Sequence, residues 1–151
     1  MSESGAAAPD FTLLDQSGKT VSLAALRGRT VVLFFYPKAD TSGCTVEACG
    51  FRDRREQFAQ KGVTLLGMSP DPVKAQSKFA VKYGLPMQLL ADEGHVVAEK
   101  YGVWIEKSMY GRKYMGIDRT TFVIGPDGNL QRQFSKVKPD GHADEVLRAV
   151  G

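Results

Sequence analysis

The chain has 151 residues and carries twenty basic against seventeen acidic side chains, a net charge of +3. That length buries a core without disulfide or metal staples, and the interleaved charges leave no concentrated basic stripe of the kind nucleic acids require. The longest apolar run, Val31 to Tyr36, falls far short of the roughly 20 residues of a membrane span. The N-terminal MSESGAAAPDF has no basic region followed by an apolar stretch, so no secretory leader and a reducing, cytoplasmic setting are expected.

Along the chain, Phe11 to Leu14 and Thr20 to Leu23 flank the polar turn DQSGK and predict a hairpin. TVVLFFY, ending at Pro37, is a continuous β-branched and aromatic run, the pattern of a central strand buried on both faces. From about Ser42 the spacing turns helical, with Gly62 as the stop and RDRREQ as a solvated face. VTLLGMS is a second buried strand. The helix after it is expected to have Asp71 as N-cap, Pro72 at its first position and Gly84 at its end.

MQLLAD then reads as a short strand and HVVAEKYG as a short helix closed by Gly102. The aromatic stretch YGVWIEKSMYGRKYMG is expected to be packing plus a mobile loop, with no chemistry for Trp104. RTTFVIGPDGNLQRQF predicts two strands around a Pro-Asp-Gly turn, and GHADEVLRAV a terminal helix capped near Asp140. Strands alternating with helices, without repeats or linkers, predict one α/β domain over 1–151, a mixed sheet covered by helices on both faces. In such sheets the carboxyl ends of strands are the usual place for a ligand crevice.

Both cysteines of the chain, Cys44 and Cys49, lie in YPKADTSGCTVEAC, just past that first central strand. Zinc needs four ligands, and the two histidines, His95 and His142, sit in separate later segments. A phosphate-transfer thiol needs an arginine six residues on, where this chain has Gly50. The spacing is not that of a C-x-x-C dithiol, and each histidine reads as a surface or capping residue rather than the base of a Cys–His pair. Both thiols could still be small, buried and inert.

Cys44 is the less suited to that bland reading. TSGC is polar and places it in the first turn of a helix, where unpaired amides and the macrodipole favour a thiolate. Five residues of continuous helix separate two Cα atoms by roughly 8–9 Å, beyond the limit of about 7 Å for a disulfide. A Cys44–Cys49 bridge therefore requires the first turn or two to unwind.

With P-K-A-D-T-S-G-C-T-V-E-A-C in view, the chain resembles the peroxiredoxins of the bacterioferritin comigratory protein, or peroxiredoxin Q, group. P-x-x-x-T-x-x-C is present as Pro37, Thr41 and Cys44, and the likeness continues through ACGFRD, GVWIEKSMYGRKYMGIDRTTFVI and PDG. The resemblance implies a thioredoxin-like fold and thiol-dependent reduction of hydroperoxides. It places the attacking cysteine at Cys44, the resolving cysteine at Cys49, a peroxide-binding hydroxyl at Thr41, an arginine beside the thiolate at Arg119 and a water-shielding proline at Pro37.

The resemblance also implies a thioredoxin- or glutaredoxin-type reductant and, with an intramolecular resolving thiol, a monomer. No metal, haem, flavin or nucleotide is implied. Related sequences commonly carry Pro where this chain has Ser42; serine should serve as N-cap and let the loop unwind more easily. No role is assigned to Asp40, Glu47 or Arg52. A redox-sensing binding module using the same disulfide is the rival reading.

Overall fold

A computed structural model describes residues 5–150; residues 1–4, the start of the stretch read for a leader, and residue 151 lie outside that description. β1 (Thr12–Leu14) and β2 (Thr20–Ser22) pair as the expected hairpin, its turn held by the Asp15 carboxylate, which accepts from the Ser17 and Lys19 amides. β3 (Thr30–Phe35) leads into α1 (Ser42–Asp53) and α2 (Arg55–Gln60). The expected single helix thus breaks at Arg54, and RDRREQ, none of it buried, is solvated as expected but spans the break between two helices.

β4 (Val63–Ser69) is followed by α3 (Val73–Tyr83), which Gly84 closes in the left-handed region with φ +61°. Here Pro72, not Asp71, holds the N-cap position. The Asp71 carboxylate instead accepts from the Ala39 amide and the Ser69 hydroxyl. β5 (Gln88–Ala91) and α4 (Val96–Lys100) follow as expected.

The stretch expected to be packing plus a mobile loop does pack, with Tyr101 and Val103 in the core and Trp104 against it. In place of the loop it forms a second hairpin, β6 (Trp104–Met109) and β7 (Arg112–Ile117). Tyr110 and Gly111, with φ +52° and +77°, make its tight turn, the combination two-residue hairpins favour. β8 (Thr120–Ile124) and β9 (Leu130–Phe134) flank the Pro-Asp-Gly turn, and α5 (His142–Ala149) ends the described chain with Gly141, not Asp140, at its cap position.

The main sheet has the order β2-β1-β5-β4-β3-β8-β9, parallel through β3, β4 and β5 and antiparallel elsewhere. Alternation along β3 divides the core. Val31, Leu33 and Phe35 face one side, with Val97, Ala98 and Tyr101 of the α4 segment. Val32, Phe34 and Tyr36 face the other, with Phe51 of α1, Phe58 of α2, Phe79 of α3 and Val146 of α5. Burial on both faces explains the unbroken apolar run of β3. Because β8 runs antiparallel to β3, with Phe35 opposite Thr120, the residue before β8 lies beside the carboxyl end of β3. That residue is Arg119.

Candidate active site

Pro37 follows β3 half-buried, and residues 38–41 turn the chain into α1. Thr41 has the extended backbone of an N-cap residue, and Ser42 is the first helical residue, so the N-cap position expected of Ser42 belongs to its neighbour. Neither hydroxyl caps the helix. The Thr41 hydroxyl donates to the Lys38 carbonyl at 2.8 Å, which leaves its oxygen free to accept. The helical ladder begins with the Thr45 amide on the Thr41 carbonyl, so the amides of Ser42, Gly43 and Cys44 stand ahead of it, pointing toward the helix start.

Cys44 is 1% exposed and Cys49 is half-buried, and both thiols are free. Arg119 Nη2 lies 3.4 Å from Cys44 Sγ, and its Nη1 donates to Glu47 Oε1 at 2.8 Å. The fold thus brings Arg119 to Cys44 from 75 residues away. Gly43 makes the approach possible: a Cβ there would sit 3.1 Å from Arg119 Nη2 and 3.5 Å from Pro139 Cγ. Burial weighs against the charge of Arg119, but Cys44 and Glu47 outweigh it, and its pKa lies above the ordinary arginine value.

Glu47 went unassigned in the sequence, although its spacing could have found it: three residues after Cys44, it lies on the same helix face. The residue is 1% exposed, and Oε2 is buried with no hydrogen-bond partner. Burial pushes its pKa up to about 7, against the lowering pull of Arg119. An unpartnered buried oxygen is costlier charged than neutral, so the upward direction is the physical one.

The hairpin absent from the sequence reading supplies a further cation. Lys107 on β6 is close enough to Cys44, Arg119 and Asp118 to interact electrostatically with all three; burial holds its ammonium below the ordinary lysine range. Cys49 faces elsewhere, into a groove it lines with Val46, Gly50, Pro139, Ala143 and Asp144.

The histidines divide. His95 occupies the cap position of α4 and stacks on Trp104 at 3.8 Å. His142, expected as a surface or capping residue, is instead the first residue of α5 and buried: Nε2 lies 2.8 Å from the Thr121 hydroxyl, Nδ1 2.9 Å from Glu145, and Phe51 and Phe134 meet the ring edge-on. Burial holds its pKa below the ordinary histidine value, against the pull of Glu145. Among the described residues no three His, Cys, Asp or Glu side chains group closely enough to hold a metal ion.

Comparison with known proteins decides the family. Residues 4–133 match the AhpC/TSA family model. The chain belongs to that family. Within it, the chain is 50% identical to the putative peroxiredoxin bcp of Coxiella burnetii, covering 96% of each chain, and 46% identical to the peroxiredoxin Bcp of Escherichia coli K12, covering 96% of this chain and 93% of the other.

Peroxiredoxin Q of Xylella fastidiosa, solved as a cysteine-to-serine mutant, superposes with a TM-score of 0.94 at 32% identity, over 99% of this chain and 95% of that one. The bacterioferritin comigratory protein of Xanthomonas campestris, whose structures concern alkyl peroxide reduction, superposes at 0.89 with 36% identity, over 93% and 89%. The fold is therefore thioredoxin-like, and the chain is a peroxiredoxin of the Bcp/peroxiredoxin Q group, a family of thiol-dependent peroxidases.

Proposed function

We propose that the chain, as one domain and a cytoplasmic monomer, reduces hydrogen peroxide and organic hydroperoxides by an atypical two-cysteine cycle. The observation that carries the reading is the Arg119 guanidinium, which joins Cys44 Sγ to Glu47 at the open amides of α1. The Cys44 thiolate attacks one peroxide oxygen, the O–O bond breaks, and the other oxygen leaves with the electron pair and takes up a proton as water or an alcohol. Cys44 becomes a sulfenic acid. Donors preorganised where negative charge develops stabilise the transition state more than the ground state, and Arg119 with the first α1 amides supplies them. Thr41, its own proton committed to Lys38, accepts from the peroxide O–H, and Pro37 helps keep water out.

The Cys49 thiol then attacks the sulfenic sulfur, the S–S bond forms and water leaves. The intact helix holds the two Cα atoms roughly 8–9 Å apart, so the start of α1 unwinds first. A thioredoxin- or glutaredoxin-type dithiol supplies two electrons and two protons to restore both thiols. Steady-state peroxide consumption with a thioredoxin system tests the reading. Many turnovers per chain are expected, whereas oxidation that stops after one equivalent contradicts an enzyme and leaves the sensor.

A further inference from the structure

The cysteine-bearing segment is fastened at both ends to one residue of α3. Upstream of Cys44, the Tyr83 hydroxyl donates to Asp40 Oδ1 at 2.7 Å, and Lys82 Nζ lies 3.0 Å from Asp40 Oδ2. Downstream of Cys49, Arg52 Nη1 donates to the Tyr83 carbonyl at 2.6 Å. That carbonyl belongs to the last turn of α3, where the helix dipole favours a cation. Tyr83 is itself set by packing, its ring edge-on to Phe79, which meets Tyr36 just past β3.

We infer that Tyr83 is a positioning residue that sets how readily the segment between Asp40 and Arg52 unwinds, and thereby the rate at which Cys44 and Cys49 join. The inference rests on the two-cysteine cycle above. The two fastenings differ in a way that gives the unwinding a direction. The Arg52 end lies on a formed helix and meets a carbonyl; the Asp40 end is exposed and sits at φ +59°, a left-handed backbone that a non-glycine residue holds only where its surroundings support it. Release at Asp40 frees residues 40–44 while Arg52 keeps the Cys49 end in place. The Tyr83–Asp40 hydrogen bond therefore opposes the motion that resolution needs, and it stands outside the Cys44–Arg119–Glu47 contact that serves the attack on peroxide.

The test is a single-turnover reaction with hydrogen peroxide, quenched at millisecond intervals and read by intact mass, on the parent chain, Tyr83→Phe and Asp40→Asn. Loss of the reduced form gives the attack rate, and conversion of sulfenic acid to disulfide gives the resolution rate. Tyr83→Phe keeps the ring and removes only the hydroxyl; resolution is expected to rise about two- to fivefold, from one lost hydrogen bond to an exposed carboxylate, with attack unchanged. In excess peroxide the sulfinic yield should fall by the same factor. Asp40→Asn, which keeps a weaker acceptor for Tyr83, gives up the charge that pairs with Lys82 and tolerates the left-handed backbone, should move resolution the same way, and it carries the test if Tyr83→Phe fails to fold.

Unchanged resolution in the folded variants overturns the inference, as does a change of attack and resolution by one common factor, which would mean general support of the pocket. If the parent chain forms no Cys44–Cys49 disulfide, the two-cysteine cycle fails and this inference with it. If the disulfide forms and the variants leave its rate alone, only this inference fails.

Discussion

Cys44 and Cys49 share one helix, five residues apart, and live in opposite surroundings. Cys44 is closed off from solvent in the first turn, 3.4 Å from a guanidinium and in the electrostatic field of Lys107. Cys49 is half-buried in a groove between α1 and the start of α5, its neighbours Val46, Gly50, Pro139 and Ala143. These surroundings support the roles proposed for the two sulfurs. An attacker needs fixed donors and excluded water at the moment charge moves; a resolver needs room to meet the sulfenic sulfur and a route for the reductant. One helix offers both surroundings because opposite ends of the segment meet different partners.

Substitutions at the two ends should act on different steps. Cys44→Ser should abolish peroxide consumption, whereas Cys49→Ser should keep the first attack and lose the disulfide. Arg119→Met removes the guanidinium that sets Cys44 apart, and the second-order rate with peroxide should fall about 10²–10³-fold. Gly43→Ala forces Arg119 to give way by a few tenths of an ångström, for a loss on the order of three- to tenfold in the same rate. Lys107→Met should slow attack about two- to threefold at low salt and less at high salt. None of the last three should alter a step that belongs to Cys49 alone.

Glu47 adds a pH dependence to the Cys44 end. Its pKa rises from an ordinary 4.5 to about 7 in the fold, so the unfolded chain releases this proton first. The stabilisation from the neutral carboxyl is full below about 4.5 and is lost as pH rises through about 7, a change of about 1–3 kcal/mol. Denaturant unfolding from about pH 4.5 to 8 should show that slope in the parent chain, and Glu47→Gln should flatten it. An identical slope in the variant would assign it to another group.

Strands made of unbroken apolar runs were readable because burial on both faces leaves no other composition; β3 and β4 lie where TVVLFFY and VTLLGMS place them. The β6–β7 hairpin was not, because Lys, Arg and exposed aromatics obscure its alternation and its turn is a single Tyr-Gly pair. Within the site, the contact of Arg119 with Cys44 was legible through a family pattern, not through spacing. Gly43, Lys107 and Tyr83 matter through what distant segments bring to them, which no local pattern carries. His142 shows the converse: its position at the start of a helix suggested a cap, while Phe51, Thr121 and Phe134 enclose it.

The division of labour between the two thiols stands or falls on intact mass after one equivalent of hydrogen peroxide, measured on the parent chain, Cys44→Ser and Cys49→Ser. The expected result is loss of two hydrogens in the parent, gain of one oxygen in Cys49→Ser, and almost no reaction in Cys44→Ser. Oxidation of Cys44→Ser as fast as the parent would contradict it, and Cys44 would not be the attacking sulfur.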